Sequence, residues 1–277
     1  MDGRCVAHQR NAWLKRLFLW RLLAGVWLSA WGCVASAQCS RLVLTADPAY
    51  PPLHWYDGKN FQGASIEIAK RVLSDLKIPY EFRYVGPFPR VLLMAKRGEV
   101  DMISTLKKTP GREQFLLYPK TAALANPVAV FALRKHSFVY RDRVDLVGLK
   151  GGITRGNVFG DGLDEYLRTN LQFEEANSPE INFNKLELGR IDYFITGYYA
   201  GMAYLLQRDQ DEKFVALTPY VAQTQNFMVL TRNGQCADKL GLIDERLAVL
   251  QKEGVVDELI RQSMETWKAR PVVAEGK

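Results

Sequence analysis

Metal ligands, reactive nucleophiles and long apolar runs are all scarce in this chain. Among 277 residues there are three histidines and four cysteines. Only His54 and His136 lie beyond the N-terminal segment, and neither has a cysteine or carboxylate at metal-ligand spacing. A zinc site is therefore not expected, and no other cofactor motif appears. There is no G-x-S-x-G elbow and no P-loop, and Gly151, Gly152, Gly156, Gly160 and Gly162 do not form G-x-G-x-x-G. With no convincing nucleophile or acid–base pair, the chain does not read as an enzyme. It also lacks the Lys/Arg runs that track a phosphate backbone. The formal net charge is +7, but the first 37 residues carry five Lys/Arg against one acid, and the rest balances 32 against 29. A nucleic-acid partner is not expected.

What is present at the N-terminus explains that excess. Arg10, Lys15, Arg16 and Arg21 precede an apolar stretch from Leu22 to Val34, which ends at Ala35-Ser36-Ala37. This is the charge, apolar run and small-residue order of a cleavable signal peptide over residues 1–37, implying a periplasmic protein. No later segment approaches the length of a membrane span. Cys39 and Cys236 remain in an oxidising compartment, where a disulfide and two separate thiols are both open readings.

Beyond the leader, strands and helices alternate. Leu42–Leu44 reads as a buried strand, and apolar residues at 68, 69, 72, 73 and 76 have helical spacing. Gly98 stops a short helix, and Ser178-Pro179-Glu180 reads as N-cap, first-turn proline and first-turn acid. Alternation of this kind predicts parallel sheets with crossover helices, an α/β fold. A second self-contained α/β set sits inside the first. The expected division is residues 38–132 for the first part of lobe 1, 133–226 for an inserted lobe 2, and 227–277 for the second part of lobe 1 with a C-terminal tail.

Ligands of open α/β sheets settle beyond the carboxyl ends of strands. The residues there are Asp47 and Tyr50; Thr105, Lys107 and Arg112; Arg155 to Phe159; and Thr196 to Tyr199. Hydroxyls, cations, aromatics and one carboxylate suit a polar small-molecule cleft. The glycine-rich turn before the helix at Leu163 offers backbone N–H groups to an anion.

Three stretches, "ADPAYPPLHWYDGKNFQGASIEIAKRVL", "GEVDMISTLKKTPGREQF" and "LELGRIDYFITGYYAGMAYL", resemble the family 3 extracellular solute-binding proteins, in order and spacing, over Leu42 to Trp267. The resemblance implies a two-lobed Venus-flytrap fold of the type II periplasmic binding protein class, with two hinge strands. It implies a monomeric receptor that captures a small carboxylate-bearing ligand, amino-acid-like or an organic acid, for an ABC permease. A sensory module serving a membrane kinase or cyclase is the alternative, and a cyclohexadienyl-dehydratase-like enzyme is a third.

In this family the arginine at the position of Arg112 pairs with the ligand carboxylate, for which a planar guanidinium fork is suited. A hydroxyl at Thr105 completes the clamp, Tyr50 and Phe88 sandwich the ligand, and Asp47 matches an acid that meets ligand amines. From the second lobe, the amides around Gly156, Asn157 and Val158 are implied to face the carboxylate. Two positions depart from the pattern. Gly197 stands where amino-acid receptors place an aspartate for the ligand ammonium, and Lys107 replaces a small polar residue. An organic acid, a dicarboxylate, or a ligand whose amine reaches Asp47 fits these departures.

Overall fold

The computed structural model describes residues 39–270. The expected signal peptide, residues 1–37, lies outside the described residues. The chain begins with β1 (Leu42–Thr45), then β2 (Ala49–Tyr50), β3 (His54–Tyr56) and β4 (Phe61–Gln62). Helix α1 (Ala64–Asp75), β5 (Tyr80–Phe82), α2 (Phe88–Arg97) and β6 (Met102–Lys107) follow. A single turn, α3 (Pro110–Glu113), leads to β7 (Leu116–Leu117) and β8 (Leu124–Ala125). A second set comprises β9 (Val128–Leu133), β10 (Lys150–Thr154), α4 (Leu163–Asn170), β11 (Gln172–Ala176), α5 (Pro179–Glu187), β12 (Tyr193–Gly197), α6 (Tyr198–Gln207) and β13 (Phe214–Ala222). The chain then returns through β14 (Gln225–Thr231) to α7 (Leu240–Lys252) and α8 (Val255–Lys268). Among the described residues no helix is long and apolar enough to cross a membrane.

Local chemistry accounts for the helix ends. Ser178 accepts the Ile181 N–H at the start of α5, with Pro179 in the first turn. At the start of α1, Gly63 has φ 113°, and a Cβ there would lie 2.6 Å from Leu53 O. Only glycine fits that approach. Helix α1 then buries Ile66, Ile68, Ala69, Val72 and Leu73 on one face.

Two mixed sheets result. The first runs β5-β1-β6-β14-β7, with β8 also paired to β14, and the second runs β11-β10-β12-β9-β13. In each, three strands are parallel (β5-β1-β6 and β11-β10-β12), while β14 and the β9–β13 pair run antiparallel to their neighbours. The parallel strands are those joined by crossover helices, as expected, and the antiparallel strands are those that pass between the sheets without one. Alternate residues serve opposite faces. On β9, Val128 and Val130 join one core cluster, and Ala129, Phe131 and Leu133 join the other. Every residue of β9 is buried, as expected of a strand covered on both faces.

The chain passes between the sheets twice, at Asn126–Pro127 and at Gln223–Thr224. These crossings are paired with each other. The Asn126 N–H donates to Thr224 O at 2.8 Å, and the Thr224 hydroxyl donates to Asn126 O. Since all of β9 pairs within the second sheet, the first crossing lies before the break expected after residue 132. Residues fully buried on both faces carry no sequence signal for which sheet they join.

Cys39 and Cys236 form a disulfide across a sequence separation of 197 residues, tying the start of β1 to the segment before α7. In the chain-entropy view a link of this span mainly restrains the unfolded chain, and loss of a native disulfide costs about 2–5 kcal/mol. Cys236→Ser should therefore lower unfolding free energy by that order, read as an earlier guanidinium midpoint. Wild-type protein in reductant should behave the same way. Equal midpoints with and without reductant would show that the link adds nothing.

Candidate ligand cleft

A cleft of about 710 Å³ lies between the two sheets. Asp47, Tyr50, Phe88, Thr105, Lys107 and Arg112 line it from the first sheet's side. Asn157, Val158 and Gly197 line it from the second. Arg155 is not part of the lining; its guanidinium pairs with Glu175 on the surface. Asp161 is also outside, with its carboxylate taken by Arg143 and by the Gln223 N–H.

Strand β6 and the turn after it set up one wall. Thr105 and Lys107 sit two residues apart on β6 and so share a face. The Thr109–Pro110 step then starts α3, which folds Arg112 back over the strand end. Arg112 Nη1 donates to Lys107 O at 3.0 Å, and its guanidinium carbon lies 5.5 Å from the centre of the Phe88 ring. The Tyr118 hydroxyl donates to the same carbonyl at 3.1 Å. Among the described residues Arg112 makes no ion pair, so most of its N–H edge remains for an anion.

Lys107 points into the cleft and reaches the opposite wall. Its Nζ donates to Val158 O at 3.3 Å and Phe159 O at 3.1 Å. Burial lowers its pKa, Asp164 raises it and Arg112 lowers it further. The turn it touches is held by Asp164, whose carboxylate accepts the Phe159 N–H at 2.9 Å and the Gly160 N–H at 2.7 Å. The Asn157 N–H donates to Thr154 O at 3.1 Å. Several amides that the glycine-rich turn offered to an anion are thus already used by the protein itself.

The floor is built around residues that sequence reasoning did not single out. His54 is 3% exposed, with Nδ1 at 3.0 Å from Ser65 Oγ and 3.2 Å from Thr105 Oγ1. Burial pushes its pKa down to about 3. Asn126 Nδ2 donates to the Tyr50 hydroxyl at 3.0 Å, joining the floor to the first crossing. Burial raises the pKa of Tyr50, and also that of Asp47, whose carboxylate accepts the Ala49 N–H. A Cβ on Gly197 would stand 3.3 Å from the Tyr50 hydroxyl oxygen, a close contact that a shift of a few tenths of an ångström relieves. Further along, Arg208, Tyr204, Trp55, Trp267 and Arg270 extend the lining. Trp267 and Arg270 lie far along the chain from every motif near the strand ends.

The family model for bacterial extracellular solute-binding proteins, family 3, matches residues 42–266. The chain belongs to that family. No curated protein sequence matches it. Solved structures share its two-lobed type II fold. The second substrate-binding domain of GlnP from Lactococcus lactis, in an open conformation, aligns with TM-score 0.65 at 15% identity, covering 82% of this chain and 96% of that one. An amino acid ABC transporter substrate-binding protein, AbpA from Streptococcus pneumoniae, bound to L-arginine, aligns with TM-score 0.60 at 18% identity, covering 83% and 97%. A histidine kinase sensor domain with similarity to periplasmic binding proteins aligns with TM-score 0.59 at 21% identity, covering 80% and 95%. These identities establish the fold.

His54 generates a pH prediction. It takes up a proton near pH 3 when folded and near its ordinary value of about 6.5 when unfolded. Between those values the unfolded chain binds more protons, so stability should fall as pH drops from 6.5 toward 3. Thermal midpoints measured from pH 7 to pH 4 should decline less steeply in His54→Gln than in wild type. Parallel declines would show that His54 is not the group responsible.

Proposed function

We propose that this protein is a periplasmic receptor that captures a small carboxylate-bearing ligand, amino-acid-like or an organic acid, and delivers it to an ABC importer. Residues 39–126 and 224–270 form one lobe, 127–223 the other, and the ligand is enclosed as the lobes close about the paired crossings. The observation that carries this reading is Arg112. It is a half-buried guanidinium set over Phe88 in the cleft, with no ion-pair partner among the described residues. Guanidinium and carboxylate match as planar forks, and the pairing strengthens as closure removes water. Thr105, anchored by His54, offers a hydroxyl beside it, and Tyr50 and Phe88 supply flat apolar walls. Asp47 is the acid available to a ligand amine. Lys107 bridges to Val158 and Phe159, so it favours closure by linking the lobes directly.

Closure here is a shift of an open–closed equilibrium by a ligand that touches both lobes, set by its differential affinity for the two states. The family's members are binding proteins, and the reading extends that to this chain: His54 is neutral and committed to structural hydroxyls rather than placed for proton transfer. The likeness to the histidine kinase sensor domain supports a second reading, in which the closed form reports to a membrane signalling partner.

Arg112→Ala should abolish carboxylate binding, with a loss on the order of 3–5 kcal/mol, as when a desolvated charge pair loses one member. Isothermal titration with whichever amino acid or organic acid raises the thermal midpoint of the wild-type protein is the measurement. Undiminished affinity in the variant would remove Arg112 from the site.

A further inference from the structure

The cleft is longer than the clamp requires. Pockets that hold drug-sized ligands span about 300–1,000 Å³, and this one, at about 710 Å³, sits in the upper half of that range. It has this size even with Lys107 already joined to the opposite wall. One face of α6 lines it. Ala200, Ala203, Tyr204, Gln207 and Arg208 all line the cleft, at the three- and four-residue spacing of one helix face. From Gly197 beside Tyr50 to Arg208 is eleven residues, or about 16 Å at the helical rise. Ala200 and Ala203 keep the middle of this face low.

Two cations beyond the clamp, Arg208 and Arg270, also line the cleft, each set on aromatic rings. The Arg208 guanidinium lies 4.0 Å from the centre of the Tyr204 ring, and Tyr204 stacks on Phe183 with ring centroids 4.9 Å apart. Arg270, just past α8, lies 5.5 Å from both Trp55 and Trp267, which meet edge to face at 5.1 Å. Helices α6 and α8 pack together, with Asp257 near enough to Tyr199 to act on it electrostatically. The last turns of both helices reach the cleft. Aromatic platforms fix each guanidinium and leave its N–H edge directed outward.

The charges of the lining do not balance. Lys107, Arg112, Arg208 and Arg270 face only Asp47 and Glu180, and none of the six forms an ion pair among the described residues. Asp57 attracts Arg270 electrostatically without pairing with it. Resting on the carboxylate reading above, we propose that the cleft takes an elongated dianion, an organic acid or amino-acid derivative with a second acidic group. One acid sits on Arg112 and the other on Arg208 and Arg270. Its apolar middle lies against Ala200 and Ala203.

A thermal-shift panel on the wild-type protein tests this, because a ligand that binds only the folded state raises the midpoint. The probes are straight-chain diacids from succinate to dodecanedioate, monomethyl sebacate, and single amino acids. Sebacate or a near neighbour should give a larger shift than succinate and than its own monomethyl ester, which has the length but one charge. Arg208→Gln and Arg270→Gln should each weaken long-diacid binding roughly tenfold or more, the scale of one charge-assisted bond, and leave succinate unaffected. Arg112→Gln should remove all shifts. Equal shifts for sebacate and its ester, or shifts from single amino acids and none from diacids, overturn the far site while leaving the carboxylate reading standing. Shifts that survive Arg112→Gln, or no shift from any probe, sink the underlying reading as well. The ester comparison uses wild-type protein, so it holds even if a variant fails to fold.

Discussion

Everything in this structure turns on two backbone segments that are hydrogen-bonded to each other as they pass between the sheets. Asn126 and Thr224 hold one another through main chain and hydroxyl, flanked by strand pairs Ala125–Gln225 and Val128–Ala222. Two segments paired in this way act as one connection between the sheets. The same Asn126 donates from its side chain to Tyr50 in the cleft floor. Whatever rests against Tyr50 therefore rests one hydrogen bond from the crossing.

Burial sorts the ionisable groups of the cleft into two kinds. His54 is neutral because it lies beneath the floor, where a charge would lose its hydration and gain no counter-ion. It serves as a rigid support for Thr105. The arginines are steadied by ring faces, and guanidinium sheds water more readily than ammonium. Lys107, a compact ammonium, instead takes two carbonyl oxygens from the facing turn. Cations in one cleft thus persist by unlike means, and only some are left with donors to spare.

Much of this was legible in the sequence, and the rest was not for identifiable reasons. Helical spacing in α1, the cap at Ser178 and the alternating motifs are local signals, and they correspond to the elements present. Of the residues gathered from strand ends, Asp47, Tyr50, Thr105, Lys107, Arg112, Asn157, Val158, Phe159, Thr196 and Gly197 line one cleft, whereas Arg155, Gly156, Tyr198 and Tyr199 do not. His54 gave no local hint, since its partners Ser65 and Thr105 lie 11 and 51 residues away. Where β9 belongs was hidden for another reason: six buried residues in a row look the same in either sheet. Lys107 showed its charge but not its direction, because the carbonyls it meets are supplied by a loop some fifty residues on. Arg270 lies outside every motif of the sequence, and Trp267 marked only the end of the resemblance; both line the cleft from the far end of the chain.

The disulfide has a topological consequence beyond stability. Cys39 and Cys236 enclose the whole of the second sheet within a covalent ring. A single cut at any peptide bond inside that ring, for example near the 77%-exposed Val139, opens the ring and releases nothing. Both cut ends stay tethered to the same molecule, held by the sheets on either side. A chain wired this way survives its first nick as one piece.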